Sequence, residues 1–341
     1  MSLATKYRPK TLDDVVEQSM VVSILKNMLA CDNVPFRSLL FIGNAGCGKT
    51  TIARCIANYL NDNKGGIIEV DAASNNGADS VRSLVDQAQS YPVGTAYKVF
   101  ILDEVHSFSN TAWQVWLKCL EEPPAKSIFL FCTTNPEKIP ETILSRVQTF
   151  RISKISVKGI HDRLAYVIDQ ENKEDRNITY TDDALNFIAK LANGGMRDSL
   201  TLLDKALAYN EDINSQNLQV ALNLPNYDDF FELLGAYAKR DNKTITEVIN
   251  RVYNSGVNFI TWFQSFHSFV VNIMKYIFLQ DINETLIPAH YQEKLSKYTA
   301  AHSMVCMKLA NKLVSLNNEL RNTQYLQEIA LTYLCQPAKK V

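Results

Sequence analysis

One short stretch of the sequence has the composition of a phosphate-binding loop. Residues 41–57 read FIGNAGCGKTTIARCIA and contain the pattern G-x-x-x-x-G-K-[ST], between an apolar strand pattern and a helical pattern. In such a loop backbone N–H groups surround the β-phosphate, Lys49 reaches the β- and γ-phosphates, and Thr50 ligates Mg²⁺. The sequence therefore predicts a site for ATP with Mg²⁺. The predicted loop residues are Gly43, Asn44, Ala45, Gly46, Cys47, Gly48, Lys49, Thr50 and Thr51.

An acidic pair further along the chain adds a way to hydrolyse the nucleotide. In KVFILDEVH, an apolar strand pattern ends in Asp103 and Glu104. Asp103 is suited to hold the Mg²⁺ and Glu104 to polarise the attacking water. Such a pair is also common where a strand simply enters solvent, but the phosphate loop favours the catalytic interpretation. We interpret His106 as a structural or coupling residue, because no second metal ligand lies at a helical or short-loop spacing.

Polar residues also end the next strand pattern, SIFLFCTTNP. Thr133, Thr134 and Asn135 stand where parallel strands present their carboxyl ends to a ligand. One of them could contact the γ-phosphate or orient the water, or all three could be turn residues that satisfy their own backbone. The residues alone leave both possibilities open.

A sheet with flanking helices must position these groups. Five apolar runs between residues 38 and 152 predict strands, and helical patterns begin between them near Gly48, Gly77 and Thr111. This alternation predicts an α/β fold with a parallel sheet covered on both faces by helices. Each run is too apolar to have a solvated face, as in central strands. The five runs are LLFI, IIEV, YKVFILD, IFLFC and TFRI.

After about Ser153 the strand patterns end and amphipathic helical patterns continue. TDDALNFIAKLANGG predicts a helix that stops at Gly194 and Gly195, and MRDSLTLLDKALAYN predicts the next one. VNFITWFQSFHSFVVNIMKYIFL has too many polar residues to face lipid, which predicts a buried bundle helix. The aromatic residues expected in its core or at a subunit interface are Phe259, Trp262, Phe263, Phe266 and Phe269.

We divide the chain into three domains. They are an α/β ATPase domain at 1–153, a small helical lid at 154–223 and a helical C-terminal domain at 224–341.

Composition limits the possible partners and compartments. The 341 residues include 35 basic and 36 acidic ones, so any contact with nucleic acid must be local. The seven cysteines are odd in number and include no C-x-x-C pair, which argues against disulfides or a zinc site. We expect them to be buried apolar side chains in a reducing compartment. The N-terminus, MSLATKYRPKTLDD, lacks the apolar stretch of a signal peptide, so we expect a cytoplasmic protein without membrane contact.

These residues and several flanking motifs resemble the tau/gamma subunits of bacterial sliding-clamp loaders of DNA polymerase III, a family of AAA+ ATPases. The resemblance is close from about Tyr7 to Ala208 and weaker beyond, where LNNELRNTQYLQEIALTYL is similar to the final collar helices of the family. It implies an AAA+ domain, a lid and an all-α collar domain for oligomerisation. The flanking motifs are KYRPKTLDDVVEQ, DEVH, LKCLEEPP, LSR and GGMRDSLTLLDKA.

The resemblance implies roles for particular residues. Thr134 would sense the γ-phosphate, Arg146 would be an arginine finger on ATP held by the adjacent subunit, and Arg197 would touch the γ-phosphate in cis. A finger is worth ~10³–10⁵ in rate because it neutralises charge on the transferring phosphoryl group. The plain alternative for either arginine is a surface ion pair. Lys118 would couple DNA contact to the active site. The adenine pocket would comprise Tyr7, Arg8, Pro9, Val15 and Val16.

The sequence departs from the family pattern in three places. The family's four-cysteine zinc module is replaced by NYLNDNKGG, which has no cysteine, so we predict no zinc. Val147 replaces the usual cysteine after the finger and leaves Arg146 intact. The chain ends at LCQPAKKV, without the long extension by which some members hold polymerase and helicase, so direct coupling to those partners is not expected.

DNA contacts are the least visible feature, because the sequence has no basic run and no single-strand stacking motif. SNNGADSVRSL places Asn75, Asn76 and Ser80 near a helix N-terminus, with Arg82 on the helix, where they could hold backbone phosphates. The residues alone favour an N-capped surface helix. The resemblance favours DNA, and such contacts suit a protein that must recognise any primer–template junction.

We expect an ATP-hydrolysing subunit that joins related subunits in an open-ring hetero-oligomer. The ring would grip a sliding clamp with ATP bound and release it on primer–template DNA, with hydrolysis stimulated by DNA and clamp. One alternative is another AAA+ DNA remodeller, such as a helicase loader or a branch-migration motor. A second is a structural subunit that binds ATP and barely hydrolyses it, although the intact acidic pair and Arg146 argue against this.

Overall fold

The computed structural model of the protein describes residues 1–31, 33–174 and 176–335. The last residues of the expected C-terminal domain, 336–341, lie outside the described part. Contacts divide the chain into two compact units: residues 1–178 with 188–204 form the first, and residues 179–187 with the chain from 205 onward form the second. The three-domain division made from the sequence stays a prediction.

A parallel five-stranded sheet forms the centre of the first unit. The strand order is β2-β3-β4-β1-β5, so β2 and β5 are the edges. Ile42 at the end of β1 pairs with Thr133 at the end of β4, which brings the carboxyl ends of these strands together. The strands are β1 (Ser38–Ile42), β2 (Ile67–Asp71), β3 (Lys98–Asp103), β4 (Ser127–Thr133) and β5 (Gln148–Arg151).

Helices cover both faces of this sheet. Because side chains alternate along a strand, Leu39 and Phe41 of β1 enter one apolar core while Leu40 and Ile42 enter the other. The α/β class predicted from the sequence is confirmed. The helices are α1 (Leu3–Lys6), α2 (Ser19–Leu29), α3 (Lys49–Leu60), α4 (Ala78–Gln89), α5 (Asn110–Glu121), α6 (Glu141–Leu144) and α7 (Val157–Asn172). The first core packs α2 and α3, and the second packs α4 and α5.

The two edge strands differ from the sequence-based expectation that no strand would have a solvated face. β1, β3 and β4 are buried almost throughout. Glu69 and Asp71 of β2 are exposed, and so are Gln148, Thr149 and Arg151 of β5. The expectation was wrong for these edges because an edge strand has a neighbour on one side only.

The second unit is mainly helical. Helices α8 (Asp182–Leu191) and α9 (Met196–Tyr209) each contribute residues to both units. The two-residue strands β6 (Thr179–Tyr180) and β7 (Asp212–Ile213) form a small parallel pair, although no strand was expected after Ser153. Two residues are too few to produce an alternating pattern. The remaining helices are α10 (Ser215–Ala221), α11 (Tyr227–Lys239), α12 (Asn242–Asn254), α13 (Phe259–Leu279), α14 (Gln292–Leu295), α15 (Ser303–Leu320) and α16 (Leu326–Leu334).

Helix α13 lies in the core of the second unit. The five aromatic residues expected in its core are buried, so the expected bundle helix is confirmed, while Phe278 near its end is exposed. They pack ring against ring with residues of α11, as in the edge-to-face contact of Phe230 and Trp262 at 4.9 Å between ring centroids. Among the described residues, no helix combines the length and apolarity that crossing a membrane requires.

The tryptophans and most cysteines are buried. Trp113 and Trp116 of α5 are 2% and 0% exposed, and Trp262 of α13 is 5% exposed. The indole N–H groups of Trp113 and Trp116 find no hydrogen-bond partner in the described part of the chain. The expectation of buried cysteines was wrong for Cys31, which is exposed, and Cys335 is half-buried. The buried ones are Cys47, Cys55, Cys119, Cys132 and Cys306.

Candidate nucleotide-binding site

The predicted phosphate loop connects β1 to α3, and its glycines are required by its geometry. Gly46 and Gly48 have φ angles of 71° and 111°, a region that side chains disfavour. A Cβ atom on Gly43 would lie 2.5 Å from the carbonyl oxygen of Ile152. The backbone therefore curves tightly into the N-terminus of α3, as a phosphate cradle must.

The loop also holds its own lysine. Lys49 is buried, and its Nζ donates to the carbonyl oxygens of Gly43 at 3.0 Å and Asn44 at 2.9 Å. The Cys47 thiol donates to the same Asn44 oxygen at 3.0 Å, and burial raises the pKa of this thiol. These contacts place a positive charge on the inner side of the loop.

The loop helix and the end of β3 meet at the expected metal-binding position. Thr50 Oγ1 donates to Asp103 Oδ2 at 2.7 Å, and the N–H of Glu104 donates to Asp103 Oδ1 at 2.9 Å. A hydroxyl oxygen beside a carboxylate fits Mg²⁺, which prefers oxygen ligands and keeps several waters. No cluster of three or more His, Cys, Asp or Glu side chains suited to a metal occurs among the described residues.

The carboxylate of Glu104 is held by residues at the end of β4 and by the turn that follows β3. Glu104 has a left-handed backbone, with φ 48° and ψ 43°. Thr134 Oγ1 lies 3.0 Å from Glu104 Oε2, and His106 Nδ1 lies 3.1 Å from the same oxygen. Thr133 Oγ1 accepts from the N–H of Asn135 at 3.1 Å. Thr133 thus satisfies local backbone, and Thr134 Oγ1 contacts both Glu104 and, at 2.8 Å, Asn135 Oδ1. Which of these residues contacts a γ-phosphate stays a prediction.

A pocket in the first unit extends from the loop to the N-terminal segment. The expected adenine residues Tyr7, Arg8, Pro9, Val15 and Val16 all line it. Gly43, Asn44 and Thr134 are not among the described residues that line it. The other predicted residues along the lining are Ala45, Gly46, Cys47, Gly48, Lys49, Thr50, Thr51, Asp103, Glu104 and Arg197.

Sequence reasoning missed part of this lining. Ile155 comes from the segment between β5 and α7, and Arg163 from α7 itself. No motif marked either residue, because each reaches the pocket only through the way its segment packs back onto the N-terminus. The missed lining residues are Ala4, Ile155, Arg163, Met196 and Leu200.

The N-terminal side of the pocket is fixed to α7 by a charged cluster. Tyr7 OH donates to Glu171 Oε1 at 2.8 Å, and Lys6 Nζ donates to the same oxygen at 2.6 Å. Arg163 Nη2 donates to the carbonyl oxygen of Tyr7 at 3.0 Å. Burial and the hydrogen bond to Glu171 raise the pKa of Tyr7 to about 12. Burial acts to raise the pKa of Glu171, but hydrogen bonds from Lys6, Tyr7 and Arg176 hold it below its ordinary value.

Arg197 lies at the start of α9, beside the phosphate loop. The N–H groups of Met196 and Arg197 point at the carbonyl oxygen of Gly46, at 3.0 and 3.5 Å. Burial, with a contribution from the charge of Arg54, lowers the pKa of Arg8 at the same pocket. The first turn of α9 therefore contacts the phosphate loop directly, and the contact of Arg197 with the γ-phosphate stays a prediction.

Arg146 lies elsewhere. It follows α6 and is exposed, and its Nη2 donates to Glu121 Oε1 at 2.8 Å. Its Nη1 donates to the carbonyl oxygen of Thr142 at 2.7 Å. In the described chain it does not line the nucleotide pocket. The guanidinium therefore lies on the surface, where another molecule can reach it.

The residues expected to contact DNA lie around the N-terminus of α4. Its N-cap is Gly77, so the helix begins without a side-chain cap, and the contact with DNA stays a prediction. Asn75 Nδ2 donates to the carbonyl oxygen of Asp71 at 3.1 Å, and the carbonyl oxygen of Asn76 accepts from Ser109 at 3.0 Å. On α4, Ser80 is half-buried and Arg82 is exposed. Arg82 forms an ion pair with Asp79. Lys118 is exposed on α5.

The family models and the curated relatives that match this chain are subunits of DNA polymerase III. Residues 66–156 match the family model of the DNA polymerase III delta subunit, and residues 159–212 match that of the ATPase lid domain of the DNA polymerase III clamp loader subunit. The chain is 30% identical over 321 residues to DNA polymerase III subunit gamma of Buchnera aphidicola subsp. Baizongia pistaciae. That match covers 86% of this chain and 85% of the relative.

Other relatives are longer than this chain. DNA polymerase III subunit tau of Escherichia coli (strain K12) is 33% identical over 277 residues, which is 75% of this chain and 42% of tau. The chain therefore spans less than half the length of the tau proteins that it matches. Among solved structures, the RuvB Holliday junction branch migration motor of Thermotoga maritima superposes with a TM-score of 0.51 at 19% identity. That match covers 67% of this chain and 78% of RuvB and shows a shared fold.

Proposed function

Because the chain belongs to the gamma/tau family of DNA polymerase III subunits, we propose that it is an ATP-hydrolysing subunit of a sliding-clamp loader. It would act with other loader subunits in an open-ring hetero-oligomer that places a ring clamp on primer–template DNA. The expected cytoplasmic location and the absence of zinc belong to the same proposal.

The observation that carries the proposal is the meeting of four groups at one end of the sheet. Lys49 presents its charge inside the loop, and the Thr50 hydroxyl contacts Asp103 at 2.7 Å. These two oxygen groups would hold the Mg²⁺, which neutralises charge on the phosphates. Glu104 lies directly after Asp103 and would polarise the attacking water. Residues suited to binding ATP and residues suited to hydrolysing it therefore line one pocket, which supports the proposal.

The positions of Thr134 and His106 support a catalytic Glu104. Both contact one oxygen of the carboxylate, at 3.0 and 3.1 Å, and so fix its orientation. A positioned carboxylate is a better base than a mobile one, because the entropy of orienting the side chain is lost on folding rather than during the reaction. A subunit that only binds ATP has no need of this arrangement.

The exposure of Arg146 supports a site that two chains complete. A finger must reach a γ-phosphate, and this arginine lies outside the lining of its own chain's pocket among the described residues. A neighbouring subunit would then supply the charge that the transition state needs. Assembly would control hydrolysis in this way.

Backbone contact with DNA is proposed for the start of α4. Asn75, Asn76, Ser80 and Arg82 lie around a helix N-terminus whose cap residue is glycine, and this end of a helix attracts phosphate. Lys118 on α5 would contribute a further charge. Contacts of this kind fix position without reading bases.

The proposal is tested by measuring ATP hydrolysis by the full chain alone, with primer–template DNA, and with DNA and a ring clamp. We expect slow basal turnover that DNA and clamp stimulate, and Glu104→Gln should remove turnover while ATP binding persists. ATP binding without turnover under all conditions would instead favour the structural role. Strand separation that needs no clamp would favour another AAA+ remodeller.

A further inference from the structure

Two consecutive residues between the pocket and α2 have a left-handed backbone. Glu17 and Gln18 have φ angles of 57° and 54°, a conformation that residues with a Cβ atom rarely adopt. Residues held in this way usually have side chains or neighbours that fix them. The contacts of these two side chains identify what fixes them.

Gln18 binds the segment that leads from β5 to α7. Its Nε2 donates to the carbonyl oxygen of Ser153 at 2.8 Å, and its Oε1 accepts from the N–H of the same residue at 3.1 Å. One side-chain amide thus pairs with both backbone groups of one residue. This doubly bonded contact fixes distance and orientation together.

Glu17 binds the same segment at the start of α7. Its Oε2 accepts from the N–H of Ser156 at 3.0 Å, and its Oε1 accepts from the Ser156 hydroxyl. Ser156 is the N-cap of the 16-residue helix α7 and accepts from the N–H of Gly159 at 2.9 Å. A carboxylate at this end of a helix is favoured by the helix dipole.

Gly159 leaves the space that the carboxylate occupies. A Cβ atom on Gly159 would lie 2.5 Å from Glu17 Oε1. A methyl group there would displace the carboxylate without changing Glu17 itself. The same Cβ atom would lie 3.1 Å from Ile155 Cγ2, so Gly159→Ala is interpreted together with the Glu17 variant.

Both sides of this contact also reach the nucleotide pocket. Val15 and Val16 directly precede Glu17, and Ile155 lies between Ser153 and Ser156; all three line the pocket. We call the side chains of Glu17 and Gln18, with Ser153 and Ser156, the clasp. The clasp therefore joins two segments that both line the pocket, one of which carries the expected base-binding residues Val15 and Val16.

We propose that Glu17 and Gln18 are positioning residues for the nucleotide base, because the clasp holds Ile155 against the Val15–Val16 side of the pocket. The inference rests on the proposed ATP site. ATP and ADP share the base and ribose, so loss of the clasp should weaken both equally. Inorganic tripolyphosphate has no base and should bind as before.

The test measures binding of ATP, ADP and tripolyphosphate by calorimetry to full-length Glu17→Gly, Gln18→Ala and Gly159→Ala variants. Glycine accepts the left-handed backbone at position 17 freely, so Glu17→Gly removes the side chain without added strain. We expect each variant to bind both nucleotides about three- to tenfold more weakly. This fold-change corresponds to the loss of one or two hydrogen bonds. Combining Glu17→Gly with Gly159→Ala should add little, because both break one contact.

Matched controls lie in the second unit. Gly235→Ala in α11 places a Cβ with no atom within 4 Å among the described residues, and Glu247→Gln neutralises an exposed carboxylate of α12. Both should bind nucleotide as the wild type does. The inference is overturned by folded clasp variants whose affinities for ATP and ADP stay within about twofold of wild type. It is also overturned by equal weakening of tripolyphosphate. A wild-type protein that binds no ATP would instead overturn the proposed function.

Discussion

The guanidinium of Arg146 lies 2.8 Å from the carboxylate of Glu121. Both residues are on an exposed surface, and neither lines the nucleotide pocket. An exposed pair of this kind contributes at most about 1 kcal/mol to folding, so either residue can be changed without unfolding the protein. Substitutions at this ion pair can therefore test the proposed catalytic role of Arg146 between subunits without a loss of folding.

We predict that Arg146→Ala leaves ATP affinity unchanged and lowers DNA-stimulated hydrolysis by about 10³-fold or more, because the neighbour's γ-phosphate loses its finger. Steady-state turnover with DNA and clamp measures this. Glu121→Gln serves as the matched control, since it releases Arg146 but keeps its charge, and its turnover should equal or exceed that of the wild type. Undiminished stimulated turnover in Arg146→Ala would reject the role between subunits.

A second prediction concerns Thr134. Thr134→Val removes the hydroxyl that lies 3.0 Å from Glu104, so the carboxylate loses one of the groups that orient it. We expect kcat to fall about tenfold, less than the ~10²–10⁴-fold contribution of a general base because Glu104 itself remains, with little change in KM. Thr246→Val in α12, whose hydroxyl bonds within its own helix, is the control. A change confined to KM would contradict this assignment.

A third prediction follows from the lowered pKa of Glu171. Hydrogen bonds from Lys6, Tyr7 and Arg176 favour its ionised form in the folded state. Its contribution to the free energy of unfolding is therefore complete above the unfolded pKa and is lost as pH falls through the lower folded value. Glu171→Gln should destabilise the protein by about 1.5–3 kcal/mol at neutral pH, the range for hydrogen bonds to charged groups.

Denaturant unfolding of wild type and Glu171→Gln, followed from neutral to acidic pH, checks this prediction. The difference between the two proteins should shrink as the solution becomes more acidic than the ordinary carboxyl pKa of 4.5. The phenol of Tyr7, with a pKa of about 12, stays protonated over this range and does not contribute to the change. A difference that is constant with pH would show that the stabilisation does not depend on the charge.

The fourth prediction concerns DNA. Arg82→Ala should reduce the slope of log affinity against log salt by about 0.9, the value for one lost phosphate contact, without changing sequence preference. In the structure Asp79 forms an ion pair with Arg82, so Asp79→Asn should release the arginine and strengthen DNA binding. Lys308→Ala, at an exposed position of α15, is the control. Equal salt slopes for wild type and Arg82→Ala would remove α4 from the DNA site.

The sequence allowed prediction of features that depend on local pattern. The five strands of the large sheet and the phosphate loop were recognisable because each is a continuous run with its own period or spacing. Thr50 and Asp103 were each assigned to Mg²⁺ from a local motif, and the structure brings them within 2.7 Å of each other. The roles assigned to these residues stay predictions.

Other features depend on packing, which one sequence does not reveal. Ile155 and Arg163 reach the pocket because α7 returns to the N-terminal segment, and neither belongs to a motif. The exposure of β2 and β5 depends on strand order rather than on composition. Two asparagines precede α4, but its N-cap is Gly77, because the helix begins where the backbone leaves the extended conformation and not where a capping side chain is available.

The placement of the tryptophans gives the protein built-in optical reporters. The chain contains three, with Trp113 and Trp116 in the α/β unit and Trp262 in the helical unit. Indole rings that are shielded from water and lack hydrogen bonds emit at shorter wavelengths, and unfolding shifts the emission to the red. Trp262→Phe would leave a fluorescence signal from the α/β unit alone, so melting of that unit can be followed without an added label.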